Sequence, residues 1–266
     1  MITTEHPRRG AFFCLFFPEA GRLPATALYL HPMEKPNRDT QTPYDEGRVI
    51  FLHKPLGWTS FDVVRKVRGL TRAKVGHAGT LDPLATGLLI CCTGKFTKRI
   101  QDYQQQEKEY TGSFVLGART PTYDLESEPF DFRDISGITP AEILAATAAF
   151  TGDLMQLPPQ HSAVKKDGKP LYQSARKGIE VEVSPRPITI SVFELTAVSL
   201  PRVDFRVVCT TGTYIRSLAH DFGQHLGCGA YLSALCRTRI GSFVLEDALT
   251  IEAFEAQVKA WRTQNG

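Results

Sequence analysis

Two β-rich runs, Ile188 to Leu200 and Val203 to Cys209, follow one another with Pro201 between them, and the second sets Val203, Phe205, Val207 and Cys209 on one side. Side chains alternate across a strand, so these runs are expected to pair antiparallel. Glu109 to Gly117 repeats the pattern with Tyr110, Gly112, Phe114 and Leu116, while Arg48 to His53 and Leu88 to Cys92 read as buried strands. Helical spacing appears in Phe61, Val64, Val67 and Leu70 behind a cap at Ser60, and in Ile251, Phe254, Val258 and Trp261 near the end. Thr139-Pro140 opens an Ala-rich helix to Phe150, and Thr213 begins a helix through Leu226 that Gly227 closes. Phe96 to Gln105 and Leu171 to Lys177 are short helices. Hairpin-joined strands with interspersed helices and no βαβ rhythm imply an α+β domain around a mixed, mainly antiparallel sheet.

The chain has 266 residues, 42% hydrophobic and 22% charged, which is the ordinary composition of a folded domain with a real core. Its longest apolar stretches, such as Gly87 to Cys92, fall far short of the roughly 20 residues that cross a bilayer. Residues 1–45 differ from the rest. They carry prolines at 7, 18, 24, 32, 36 and 43, an aromatic cluster (Phe12, Phe13, Phe16, Phe17) and no period, and they read as a loosely ordered extension to a domain spanning 46–266, with Met33 an alternative start. Arg8-Arg9 before an apolar run and Ala25-Thr-Ala27 imitate a signal peptide, but Pro18, Glu19 and Arg22 break the run after seven apolar residues. Six cysteines without a CxxC pair, Cys91 and Cys92 adjacent, read as reduced thiols of a cytoplasmic protein. His220 and His225 are five apart and share no helical face, so no metal site is expected.

Charge is unevenly placed. The net charge is only +3, yet Lys54, Arg65, Lys66, Arg68, Arg72, Lys74, Lys95, Lys98 and Arg99 face only Asp62 and Asp82 in the window 54–99. Such a basic segment on a nearly neutral chain suits a polyanion-binding face, and equally a solvated helix face. Inside it, Gly76-His-Ala-Gly-Thr-Leu-Asp-Pro-Leu-Ala-Thr-Gly87 reads as a loop built around one carboxylate, Asp82, with neither GxGxxG nor Gly-Lys-Ser/Thr. A carboxylate among phosphate-binding cations repels the ligand unless it has a use. Arg216, in the first turn of its helix against the helix dipole, is the candidate partner that would hold Asp82 ionised.

Lys54-Pro-Leu-Gly57-Trp-Thr-Ser60, the Gly76 to Gly87 stretch and Lys108-Glu-Tyr110 closely resemble the catalytic domain of TruB-type tRNA pseudouridine-55 synthases. The resemblance runs in the family's order through Leu116 to Asp124, Gln156-Leu-Pro-Pro159, Ser162-Ala-Val-Lys165, Gly168, Tyr172, Ala175-Arg176, Gly212 to Arg216 and Leu235-Cys-Arg237, and covers roughly Gly47 to Asp247. It implies isomerisation of a T-loop uridine of tRNA to pseudouridine, without cofactor. Asp82 matches the family's essential aspartate, acting on a flipped-out nucleotide either as nucleophile or as the base that takes the sugar 2′ proton. Tyr110 matches the tyrosine that stacks on the base, Arg216 the partner of the aspartate, Tyr214 and Leu235 the lining of the uracil pocket, and His77 the histidine that fills the place the base leaves. Lys54, Lys74, Lys95, Lys98 and Arg99 are expected on the RNA backbone, and no obligate protein partner is implied.

Two departures stand out. His161 replaces the family's aromatic residue between Pro-Pro and Ser-Ala, and only about 19 residues follow Asp247, too few for the PUA-like RNA-binding domain of many members. The competing reading is a tRNA-binding folding helper without chemistry, which gives no reason to keep Asp82, Tyr110 and Arg216 together. A glycoside hydrolase would need a second catalytic carboxylate about 5–9 Å from the first.

Overall fold

In the computed structural model, residues 42–265 are described, apart from 163, 167, 176, 177 and 180. The expectations for residues 1–41, including the aromatic cluster and the start at Met33, lie outside the described residues. Pro43–Glu46 forms a one-turn helix, α1, capped by Thr42, and Tyr44 packs edge-on against Phe254 and Trp261.

The chain then alternates strand and helix: β1 (Val49–Lys54), α2 (Ser60–Thr71), β2 (Val75–Ala78), β3 (Ala85–Thr93), α3 (Ile100–Gln104), β4 (Lys108–Leu116) and α4 (Pro140–Ala146). After β5 (Gly152–Gln156) come the small hairpin β6 (Lys165–Lys166) and β7 (Lys169–Pro170), then α5 (Leu171–Ala175). The long hairpin β8 (Arg186–Ser199) and β9 (Arg202–Cys209) leads into α6 (Ile215–His225), β10 (Ala230–Ile240), β11 (Phe243–Val244) and α7 (Ile251–Asn265). Nine strands make one sheet in the order β1-β3-β10-β4-β9-β8-β5, with β2 on β3 and β11 on β10. Among the described strands only β3 and β10 pair in parallel, so the mixed, mainly antiparallel α+β sheet is as expected.

Alternation along β4 and β9 does what the sequence pattern demands. Phe114, Leu116, Val203, Phe205 and Val207 turn to the same core, where Ile215, Leu218, Ala219 and Phe222 of α6 cover them. Phe114 sits at the centre of this packing, its ring 4.3 Å from that of Phe205 and 5.9 Å from that of Phe222. Each such aromatic contributes about 1.5–3 kcal/mol through burial. A second core joins Ile50, Leu52, Leu89 and Cys91 to Val63, Val64 and Val67 of α2 and to Ile251, Phe254 and Val258 of α7.

Several local expectations shift. Thr59, not Ser60, caps α2, through a capping box with Asp62, and Val63 takes the buried place expected of Phe61, which is 59% exposed. The Gly76 to Gly87 stretch is less of a loop than its glycines suggest, because Val75–Ala78 pairs with β3 and leaves only residues 79–84 between the strands. The central strand β10 was not expected at all. Among the described residues no helix is long and apolar enough to cross a membrane.

On α6, burial alone pushes the Asp221 carboxyl up to about 6, whereas an unfolded Asp titrates near 3.9. The folded chain therefore keeps a proton between about pH 4 and 6 that the unfolded chain releases, and this stabilisation is lost as pH rises through about 6. Asp221→Asn should melt above the unsubstituted chain at about pH 7.5, with the gap closing near pH 4, as thermal denaturation at the two pH values checks.

Candidate active site

Asp82 is delivered by a loop whose backbone is fixed from outside. Ser60, freed from capping α2, accepts a hydrogen bond from Leu81 N at 2.8 Å and donates to Leu81 O at 3.1 Å, while Gly57 N donates to Pro83 O at 2.9 Å. The first turn of α2 and the turn before it thereby hold the residues on either side of Asp82. At the loop's end Gly87 has φ +108°, and a Cβ there would lie 2.3 Å from the carbonyl oxygen of Arg237, so glycine is required for β3 to run close beside β10.

Arg216 occupies the second position of α6. It is 5% exposed and grips Asp82 with two donors, Nε to Oδ2 at 2.9 Å and Nη2 to Oδ1 at 3.2 Å. The remaining donors reach Thr122 O at 3.3 Å and His161 O at 3.0 Å, and Nε stands 3.6 Å from the buried carboxylate of Asp124. A guanidinium at a helix N-terminus opposes the dipole and, when buried, must be paired; here two carboxylates and two carbonyls meet that need. The Asp82 side chain itself is 38% exposed, so the same carboxylate that Arg216 holds is open to an incoming group. His161 serves this network through its backbone, which any residue there could supply.

A shallow pocket beside Asp82 is lined by Leu84, Ala85, Asp124, Leu232 and Leu235. Leu235 stands in register with Ala85 on β3 and Gly112 on β4, two residues from Tyr110 on the same face. Tyr110 is 9% exposed within the main core, and burial raises its phenol, opposed by Arg237 and reinforced by Cys209 and Asp82. Tyr214 precedes α6, its backbone N and O both bonded to the Gln156 side chain at 2.8 and 3.0 Å. Its phenol is raised by burial, with Ser162, Arg216 and Asp82 acting on it in turn; Arg216 bonds Asp82, and Leu235 lines the same pocket as that carboxylate. His77 lies on β2 with Nε2 3.2 Å from Thr80 Oγ1, its imidazole lowered by burial and by Arg237 and so neutral at pH 7.

The basic window divides. Lys74, Lys95, Lys98 and Arg99 are exposed, and the bond from Gly94 N to Lys74 O at 2.8 Å brings Lys74 beside the turn carrying the other three. Arg99 lies 3.7 Å from Asp102 and over the Phe96 ring, while Lys74, Lys95 and Lys98 make no ion pair among the described residues. Lys54 is a correction. It is fully buried, its ammonium bonded to the carbonyls of Trp58 at 2.5 Å, Pro55 at 3.1 Å and Pro83 at 3.4 Å, and burial lowers it to about 8. Those bonds consume the donors a phosphate would need. Asp124 was missed as a partner of Arg216; its only signal was its place at the end of the Leu116 to Asp124 motif. Among the described residues no cluster of His, Cys, Asp and Glu could hold a metal ion.

Residues 66–215 match the TruB family pseudouridylate synthase (N terminal domain), and residues 216–266 match the tRNA pseudouridylate synthase B C-terminal domain. A chain of a Cbf5-Nop10-Gar1 complex superposes with TM-score 0.66 at 30% identity, covering 84% of this chain and 57% of that one. Fold and site together define a pseudouridine synthase. The chain belongs to the TruB family, and it is similar to tRNA pseudouridine synthase B of Flavobacterium johnsoniae, 48% identical over 228 residues that cover 83% of this chain and 100% of that relative. The enzyme of the same name from Phocaeicola vulgatus is 48% identical over 218 residues, 79% of this chain and 93% of the relative. The two family matches meet inside α6, and the second contains β10, which pairs with β3 and β4 at the centre of the sheet.

Breaking the pair from its two sides should differ. Arg216→Ala leaves Asp124 buried beside the gap and should cost about 3–5 kcal/mol, whereas Asp82→Asn keeps one of the two acceptors and leaves Arg216 with Asp124 and two carbonyls, so it should cost less, about 1–3 kcal/mol. Urea denaturation of the two variants measures both.

Proposed function

We propose that this chain is a tRNA pseudouridine synthase of the cytoplasm that isomerises a T-loop uridine, with Asp82 as the catalytic carboxylate. The observation that carries this reading is the bidentate grip of a buried Arg216 on a carboxylate that remains 38% exposed. The arrangement pairs and aims Asp82 while leaving it reachable, as attack on C1′ or removal of a 2′ proton requires. The relatives' name, tRNA pseudouridine synthase B, supports the substrate class.

A stacked nucleotide hides its glycosidic bond, so the uridine must leave the stack at a cost of a few kcal/mol. Tyr110, Tyr214 and Leu235 supply aromatic and apolar surface around Asp82 that offsets this cost, and a neutral His77 on the neighbouring strand suits the place the base vacates. Lys74, Lys95, Lys98 and Arg99 are exposed where Lys74 meets the turn after β3 and are assigned to the RNA phosphates. Recognition through these cations reads RNA shape and backbone rather than base edges. The active centre needs no cofactor, because the base is detached and rejoined within one pocket.

Asp82→Asn should fold, bind tRNA and release no tritium from C5-labelled uridine; substantial turnover by the purified variant would remove Asp82 from the reaction. For the binding face, log K should fall linearly with log salt, by about 0.7 to 0.9 per phosphate contact. Neutralising Lys95 and Lys98 together should flatten that slope, and an unchanged slope would place the RNA elsewhere.

A further inference from the structure

The largest fully buried side chain among the described residues belongs to Arg237, which is 1% exposed and makes no carboxylate ion pair within them. Its Nε donates to Leu88 O at 2.8 Å and its Nη2 to Gly79 O at 3.0 Å. Those carbonyls flank the loop of Asp82, one where it leaves β2 and one just inside β3. In the sheet Arg237 stands in register with Gly87 on one side and Tyr110 on the other. Its guanidinium lies close enough to the Tyr110 phenol to oppose the effect of burial on it.

Two more buried cations surround it. Lys54 and Lys108 bond only to backbone carbonyls, and each is lowered by burial first and by Arg237 next or after Asp82. A methionine would fill the same space without desolvating a charge, so packing does not explain an arginine beside two lysines. What the guanidinium adds is a fixed fork for the two loop carbonyls and a positive field at Tyr110.

We propose that Arg237 is a positioning residue for the isomerisation: anchored on the two loop carbonyls, its guanidinium donates to the phenol oxygen of Tyr110 so that the phenol proton faces the pocket. The inference rests on the reading of the chain as a uridine isomerase. Arginine carries donors and no acceptor, so a phenol facing it accepts on that side and keeps its own O–H for the other. When the C1′–N1 bond breaks, its electron pair leaves with the base. A phenol polarised by a buried cation is the stronger donor to that developing negative charge, and no proton has to be transferred.

The test measures single-turnover tritium release and tRNA affinity for Arg237→Lys and Arg237→Gln, each with Tyr110 intact and combined with Tyr110→Phe. With Tyr110 intact the rate should fall about tenfold or more while affinity changes less than about threefold, and in the Tyr110→Phe background the loss should largely disappear. Equal losses in both backgrounds, or a rate loss matched by lost affinity, would overturn the proposal. A readout independent of activity and of variant folding is the ultraviolet resonance Raman difference between the unsubstituted chain and Tyr110→Phe. Its tyrosine doublet should report a phenol that accepts a hydrogen bond, and a purely donating phenol would overturn the contact. Failure of the unsubstituted chain to release tritium would instead strike the isomerase reading, leaving the Raman result to decide the contact.

Discussion

One buried guanidinium determines how the site is assembled. Arg216 touches three segments far apart in sequence: the Asp82 loop, the turn that carries Thr122 and Asp124, and the carbonyl of His161. An arginine so placed cannot be left with unmet donors, because stranding a charge away from water costs several kcal/mol. The segments must therefore close around it together. The Thr122 hydroxyl, itself tied to Ser127 at 2.7 Å and to Asp124 O at 3.2 Å, keeps the 122–127 turn in the shape that presents its carbonyl. Function and folding share this residue: the same bonds that satisfy Arg216 orient the carboxylate.

The cations of the chain work in two ways, and burial separates them. Lys54, Lys108 and Arg237 are enclosed and answered mainly by backbone carbonyls, so they hold turns and strand ends near the site. Lys74, Lys95 and Lys98 keep their ammonium groups in water at the edge formed by β2 and the turn after β3. Solvated cations are screened over roughly 8 Å at physiological salt, which suits reversible contact with a polyanion. Enclosed ones are screened far less, and the field of Arg237 reaches Tyr110 and His77.

Local patterning was legible where one physical rule dominated. Alternation along 109–117 and 203–209 produced β4 and β9, and Thr139-Pro140 with Glu142 produced a capping box at α4. The rule failed where tertiary demands interrupted the period. β10 carries bulges between Leu232 and Ala234 and between Arg237 and Arg239, and its arginines masked a central strand as polar. Ser60 looked like a cap, yet its hydroxyl is spent on Leu81 and Thr59 caps the helix instead.

By itself the sequence determined the α+β class, the order of most elements and the family, because residue spacing and motif order are properties of the chain alone. It could not distinguish a lysine that meets water from one that meets carbonyls, as for Lys98 and Lys54, nor name Asp124 and Arg237 as neighbours of the site. Charge and periodicity are read along the chain, whereas burial and pairing depend on which distant strand lies alongside. The parallel pairing of β3 with β10, bringing Gly87 against Arg237 across 150 residues of sequence, is decided only when the sheet closes.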